Sequence, residues 1–120
     1  MTKTPNDFLD EARKTVPEVT AHETRAGLDS GKVKLVLDVR EPSEFAAGHI
    51  PGALNVPRGL LEWNADKLNV DRDAEVVVQC AAGGRSLLAA KVLQEMGYSN
   101  VSSLKGGFTD WGKQGFPTET

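Results

Sequence analysis

Two short apolar runs constrain this chain more than any other feature. One extends from Val33 to Val39 with Leu35-Val36-Leu37 at its centre, and the other is Val76-Val77-Val78. Neither shows the polar–apolar alternation of a strand with one wet face, so each predicts a strand buried on both faces, as in a parallel sheet. Parallel neighbours cannot be joined by a tight turn; they need a crossover, usually a helix. Helical signals flank both runs. Thr4-Pro5 predicts a cap and first turn, with Phe8, Leu9, Ala12 and Val16 on one face and Pro17 as the stop. Thr20-Ala21-His22-Glu23 fits a capping box, opening a helix that ends at Gly31. From Ser86 to Met96 the period becomes helical, with Ala89, Val92, Leu93 and Met96 inward, Lys91, Gln94 and Glu95 outward, and Gly97 as the stop. Ala53–Val56 and Val101–Leu104 are weaker strand candidates, and Thr109–Gln114 predicts a short last helix carrying Trp111. Strands alternating with helices predict an α/β fold, with residues 1–18 as an N-terminal helical arm and residues 19–120 as the domain proper.

Composition narrows the function classes. A 12.9 kDa chain buries enough surface on folding to need no metal or disulfide staple. Fourteen basic side chains against 17 acidic ones leave a net charge of −3, which argues against a nucleic-acid binder. The one cysteine, Cys80, excludes an intramolecular disulfide and a cysteine-rich zinc site, and with only two histidines no metal site is expected. The first residues lack the basic-then-apolar profile of a signal peptide, and no apolar run approaches the roughly 20 residues of a membrane span. The expectation is a cytoplasmic protein with Cys80 as a free thiol, no cofactor and no membrane partner.

Cys80 ends a predicted buried strand, and Cys80-Ala81-Ala82-Gly83-Gly84-Arg85-Ser86 leads from it into the firmest helix. Ligands of α/β folds gather at the carboxyl ends of such strands. Two consecutive glycines allow the loop to turn several N–H groups inward as an anion nest. The helix adds its positive end and its unpaired N–H groups. Arg85 adds a cation or braces the loop from behind. All of these favour thiolate, whereas an unperturbed thiol of pKa about 8.5 is only about 3% ionised at pH 7. A buried apolar cysteine is the plainer alternative for a residue after a valine run, and the Gly-Gly-Arg-Ser continuation weighs against it.

These residues resemble the active-site loop of the rhodanese (sulfurtransferase) family: cysteine, four residues, arginine, then serine opening a helix. Two further segments match in order and spacing. Leu37–Pro57, with Asp38-Val39-Arg40-Glu41-Pro42-Ser43-Glu44-Phe45 and Gly48-His49-Ile50-Pro51-Gly52, resembles the family's upstream signature, and Leu104–Trp111 resembles its C-terminal one. The resemblance covers roughly Val19 to Phe116 and implies a three-layer fold with a central, mainly parallel five-stranded sheet flanked by helices. It implies Cys80 as nucleophile and persulfide carrier, with the backbone N–H groups of Ala81, Ala82, Gly83, Gly84, Arg85 and Ser86 as the substrate cradle. The implied donor is a small sulfur-containing anion such as thiosulfate, and the acceptor is cyanide in an assay or a thiol or protein in the cell. A partner-dependent relay or sensing module would use the same cysteine. The related cell-cycle phosphatases have a loop one residue longer and typically histidine where this chain has Gln79, so both features favour sulfur over phosphate. Loop positions Ala81 to Gly84 are small and neutral, unlike the basic loops of some thiosulfate-using relatives.

Other residues draw structural readings. Asp38 and Arg40 close a buried strand; Arg40 could lie by the substrate anion, but an ion-paired or hydrogen-bonded strand end is the favoured reading, because buried charge needs a partner. His49 reads as a turn residue and His22 as part of an exposed first helical turn. Trp63 could wall the pocket, pack, or face a partner; Trp111 and Phe108 should anchor the C-terminal segment. Gly106-Gly107 is expected to be small because that turn approaches the active loop. Arg58 and Lys105 are candidates for the rim.

Overall fold

In the computed structural model, which describes residues 2–120, five strands form one sheet with every pairing parallel. They are β1 (Glu18–Val19), β2 (Leu35–Asp38), β3 (Leu54–Asn55), β4 (Val76–Gln79) and β5 (Val101–Leu104), in the spatial order β1-β5-β4-β2-β3. The helices are α1 (Pro5–Arg13), α2 (Ala21–Asp29), α3 (Pro42–Ala47), α4 (Leu61–Asn64), α5 (Gly84–Glu95) and α6 (Gly107–Lys113), with 3-10 turns flanking α4. The two central strands, β2 and β4, are the two apolar runs, and Leu37, Val76 and Val78 are fully buried. On one face α1, α4 and α5 cover Leu37, Val76, Val78 and Val101; on the other α2 and α6 cover Val36, Val77 and Leu104. The result is an α/β sandwich of three layers with 6582 Å² of surface, close to the roughly 6,300 Å² expected of a folded chain this size.

Local chemistry explains where the helices begin. Thr4 accepts from the Asp7 N–H at 3.3 Å while Asp7 accepts from the Thr4 N–H at 2.8 Å, and Thr20 and Glu23 repeat the box at 3.0 Å each way. α2 gives way to Gly31 at φ 77°, as its stop signal predicts. α5 is longer at its start than the Ser86–Met96 pattern predicts. Its buried residues also include Leu87 and Ala90, with Val92 only half-buried. The reason is α1 and the turn that follows it, which pack on the outer side of α5 through Ala12 and Val16. The Gln94 side-chain amide donates to the Thr15 carbonyl at 2.8 Å and ties the end of that segment down. Thus α5 is covered on two sides rather than on one stripe.

β1 lacks a readable pattern, and α3 is announced only by the capping-box spacing of Glu41 and Glu44. β1 has two residues, and it exists because Ser103 and Lys105 donate their N–H groups to Pro17 and Val19 across the sheet edge. α3 buries none of its six residues. α6 starts at Gly107, two residues before the predicted Thr109. Among the described residues, no helix is long and apolar enough to cross a membrane.

Candidate active site

β2 and β4 are parallel neighbours, so their carboxyl ends open at the same edge of the sheet. The β4–α5 loop and the start of α3 therefore meet there. Cys80, directly after β4, is buried, but its sulfur is not in a purely apolar setting. The Gly83 N–H donates to Sγ at 3.1 Å and the Ser86 N–H at 3.4 Å. The Ser86 hydroxyl lies 3.5 Å from the sulfur. Burial pushes the Cys80 pKa up, but hydrogen bonds from the Ser86 hydroxyl and from the N–H groups of Ser86, Gly83 and Ala82 outweigh it, so the thiol is more acidic than ordinary. A thiolate bound more tightly in the native state makes stability rise as pH climbs from the native Cys80 pKa to that of the unfolded thiol.

The loop conformation follows from two glycines. Gly83 has φ 109° and precedes the first residue of α5, a conformation that side-chain-bearing residues rarely adopt. Gly107 stands where a Cβ would lie 2.3 Å from the Cys80 carbonyl oxygen and 2.6 Å from that of Ala81. The close approach expected of Gly106-Gly107 is therefore present. It lets the first N–H groups of α6 reach the loop: Phe108 N–H donates to the Cys80 carbonyl at 2.8 Å and Thr109 N–H to the Ala81 carbonyl at 3.0 Å. In a trans peptide the C=O and the following N–H point opposite ways. Holding those carbonyls toward α6 turns the Ala81 and Ala82 N–H groups away from it. The Ala82 N–H is one of the groups that acidify Cys80.

Ser86 is fully buried, and its hydroxyl contacts the Gly83 carbonyl at 3.1 Å and the Ser103 hydroxyl of β5 at 2.7 Å. A serine hydroxyl has one proton to donate. When the sulfur is a thiolate, that proton points to it and Ser103 donates to Ser86. Ser86→Ala should therefore raise the Cys80 pKa and slow alkylation by iodoacetamide at pH 7 about fivefold, the worth of one net hydrogen bond. An unchanged alkylation rate across pH would show that the hydroxyl does not reach the thiolate.

Arg85 has a partner that the sequence reading missed. Its Nη1 and Nη2 donate to Glu44 Oε1 and Oε2 at 2.8 and 3.0 Å, a bidentate pair, and Glu44 Oε1 also accepts the Glu41 N–H at 3.0 Å. Arg85, with the help of the Glu41 N–H, draws the Glu44 carboxyl down to about 2. The stability this pair lends is fully present above pH 4.5, the carboxyl's ordinary value, and is lost as pH falls toward about 2. Glu44 in turn raises the Arg85 pKa, and the Cys80 sulfur does so more weakly. Arg85 thus lies under the influence of both anions. The clue to Glu44 was Glu41-Pro42-Ser43-Glu44, a capping-box spacing directly after the strand beside the cysteine strand.

The remaining candidates have structural partners. The strand end is ion-paired, as the structural reading has it, and the partners are each other: Arg40 donates to Asp38 from Nη2 to Oδ2 at 2.8 Å and from Nε to Oδ1 at 3.0 Å, and Arg40 also donates to the Gly48 carbonyl and lies over the Phe108 ring. His49 is held by the Phe45 carbonyl through Nδ1 at 2.8 Å and by Glu119 through Nε2 at 3.2 Å. His22 is exposed, against Gln114 and Phe116. Gln79 ends β4 fully buried, and strand alternation sets its side chain on the face opposite Cys80. Trp111 is buried and donates Nε1–H to the Pro117 carbonyl at 2.8 Å, anchoring the C-terminal segment. Trp63 is 77% exposed, so it is not a packing residue. Arg58 and Lys105 are both exposed.

Known proteins share this fold. A family model for the rhodanese-like domain matches residues 20–114. A sulfurtransferase of Allochromatium vinosum is 40% identical over 83 residues, covering 69% of this chain and 76% of that protein. YrkF of Bacillus subtilis, named as a candidate sulfur carrier, is 33% identical over 101 residues; the match covers 84% of this chain but 54% of YrkF, so the chain spans about half that relative's length. A solved structure from Rhodopseudomonas palustris, RPA3614, of unknown function and labelled a possible tyrosine phosphatase, superposes with a TM-score of 0.90 at 34% identity, covering 99% of this chain and 96% of that one. The family match spans β2 through β5, the cysteine loop and the Gly106-Gly107 turn together, and the chain belongs to the rhodanese-like domain family.

Proposed function

We propose that this protein is a sulfurtransferase that carries sulfane sulfur on Cys80. The Cys80 thiolate attacks the outer sulfur of a donor such as thiosulfate. A new S–S bond forms at Sγ, the donor's own S–S bond breaks, and sulfite leaves with the electron pair. The resulting persulfide anion rests in the cradle of N–H groups from Ala81 to Ser86. A nucleophile, cyanide in an assay and a thiol or protein in the cell, then takes the outer sulfur and returns the thiolate. The observation that carries this reading is the convergence of N–H donors on the Cys80 sulfur. Those donors stabilise a negative sulfur and would do the same for one more sulfur atom attached to it.

Steady-state rates with thiosulfate and cyanide varied together test the reading. The expected pattern is parallel double-reciprocal lines, because the first product leaves before the second substrate binds. Intersecting lines, the mark of a required ternary complex, would contradict it.

The name of the Bacillus relative favours a second reading, a relay module in which a protein partner supplies or takes the sulfur. A large rate gain on adding such a partner, with poor turnover of free thiosulfate, would select it. The label on the Rhodopseudomonas structure raises phosphatase chemistry. The six-residue loop from Cys80 to Arg85 and the tight approach of the Gly83 N–H to the sulfur weigh against a phosphate-sized cradle. Cys80-dependent hydrolysis of an aryl phosphate would reverse that judgement.

A further inference from the structure

We propose that Glu44 is a specificity-determining residue that biases the site toward singly charged sulfane-sulfur donors, the persulfides of thiols, and away from dianions such as thiosulfate. The inference rests on the sulfur-transfer reading above and goes beyond it in naming what selects the donor.

The geometry carries it. The loop itself offers no side-chain charge except Arg85, since Ala81, Ala82, Gly83 and Gly84 are small and neutral. That one cation is met on both terminal nitrogens by Glu44 at 2.8 and 3.0 Å. The Glu41 N–H fixes the same carboxylate from the other side at 3.0 Å. The carboxylate is therefore held in place before any donor arrives. Arg85 and Glu44 cancel, and the thiolate remains. An incoming anion meets a site whose local charge is about −1 rather than about zero, so a dianion is repelled about twice as strongly as a monoanion at equal distance. The backbone cradle is blind to this difference, because its N–H groups solvate one terminal sulfur in either case.

Both donors react by the same step. Thiosulfate gives the Cys80 persulfide and sulfite. An ionised persulfide R–S–S⁻ gives the Cys80 persulfide and the thiolate R–S⁻. In each, one S–S bond forms at Sγ, one breaks in the donor, and the leaving group takes the electron pair.

The test uses two donors with the same reacting centre and different charge: thiosulfate, a dianion, and methanethiosulfonate, a monoanion. Glu44→Gln keeps the shape and the oxygen that accepts the Glu41 N–H but removes the charge. Its kcat/KM should rise about tenfold for thiosulfate and about threefold for methanethiosulfonate, since the gain for a double charge is roughly the square of that for a single one. Any change in the Cys80 pKa acts on both donors alike and cancels in the ratio. Glu44→Asp, which keeps the charge, should retain the wild-type ratio.

Equal changes for both donors, or an Asp variant that shifts the ratio as far as Gln does, would overturn the charge assignment. Should Glu44→Gln fail to fold, the wild type decides. Raising salt from about 20 to about 200 mM should increase its kcat/KM more for thiosulfate than for methanethiosulfonate, because screening relieves repulsion. A fall for thiosulfate would mean that the dianion meets a positive site, and would overturn the proposal. If neither donor adds sulfur to wild-type Cys80, the sulfur-transfer reading fails and this inference fails with it. If the wild type loads and the donor ratio is insensitive to Glu44, only the inference fails.

Discussion

Cys80→Ser should lose sulfur transfer by a factor on the order of 10³ or more while keeping the fold. Serine is slightly smaller and finds the same N–H partners, so circular dichroism and the thermal transition should change little. Chemistry is different. A serine hydroxyl in this cradle does not ionise near neutral pH, and oxygen forms no stable perthiol analogue. The loss should appear in kcat with any donor, because the residue is the carrier itself and not a donor contact. Rates of thiocyanate formation from thiosulfate and cyanide measure it. Turnover by the serine variant within tenfold of wild type would remove Cys80 from the mechanism.

Gly107→Ala should have the second largest effect, although Gly107 is not one of the residues around the sulfur. Its added Cβ would sit 2.3 Å from the Cys80 carbonyl oxygen, a contact that no rotamer relieves because Cβ has none. The turn must retreat and give up the bonds from Phe108 and Thr109 to the Cys80 and Ala81 carbonyls. Released carbonyls can rotate, and each rotation swings the next N–H out of the cradle. Activity should fall at least about a hundredfold, and stability by about 2 kcal/mol, the cost of two buried hydrogen bonds. The Cys80 pKa should rise with the loss of the Ala82 N–H, so alkylation at pH 7 slows as well. A stability loss with wild-type alkylation would mean that α6 does not shape the cradle.

The sequence made the cysteine edge of the sheet legible, because local signals there agree with the tertiary result. Val76-Val77-Val78 is buried on both faces as an unbroken run demands, and a helix does run from the cysteine loop to just before the Gly97 stop. Gly106-Gly107 was readable as a close approach, although its role in aiming the loop N–H groups depends on α6 starting at Gly107 and not at Thr109. What escaped was whatever depends on contacts distant in the chain. β1 has no pattern of its own and exists only as a partner of β5. The second covered side of α5 comes from α1, seventy residues and more upstream. Glu44 is separated from Arg85 by 41 residues; only the adjacency of β2 and β4 brings them together.

Arg85 shows how such a contact alters a chemical expectation. Its position predicts a cation serving the cysteine. In the structure its two terminal nitrogens are committed to Glu44; it still interacts, more weakly, with the Cys80 sulfur, whose strongest acidifying contacts are the Ser86 hydroxyl and the loop N–H groups. The cradle therefore combines the Ser86 hydroxyl with backbone dipoles, whose placement depends on Gly83 and Gly107.

The most direct test of the account is the intact mass of the protein after incubation with thiosulfate and then after addition of cyanide. The account predicts a gain of one sulfur atom localised to Cys80, followed by its loss with an equal amount of thiocyanate formed. A mass unchanged by thiosulfate and by a thiol persulfide alike, with the thiol still free to alkylate, would contradict it.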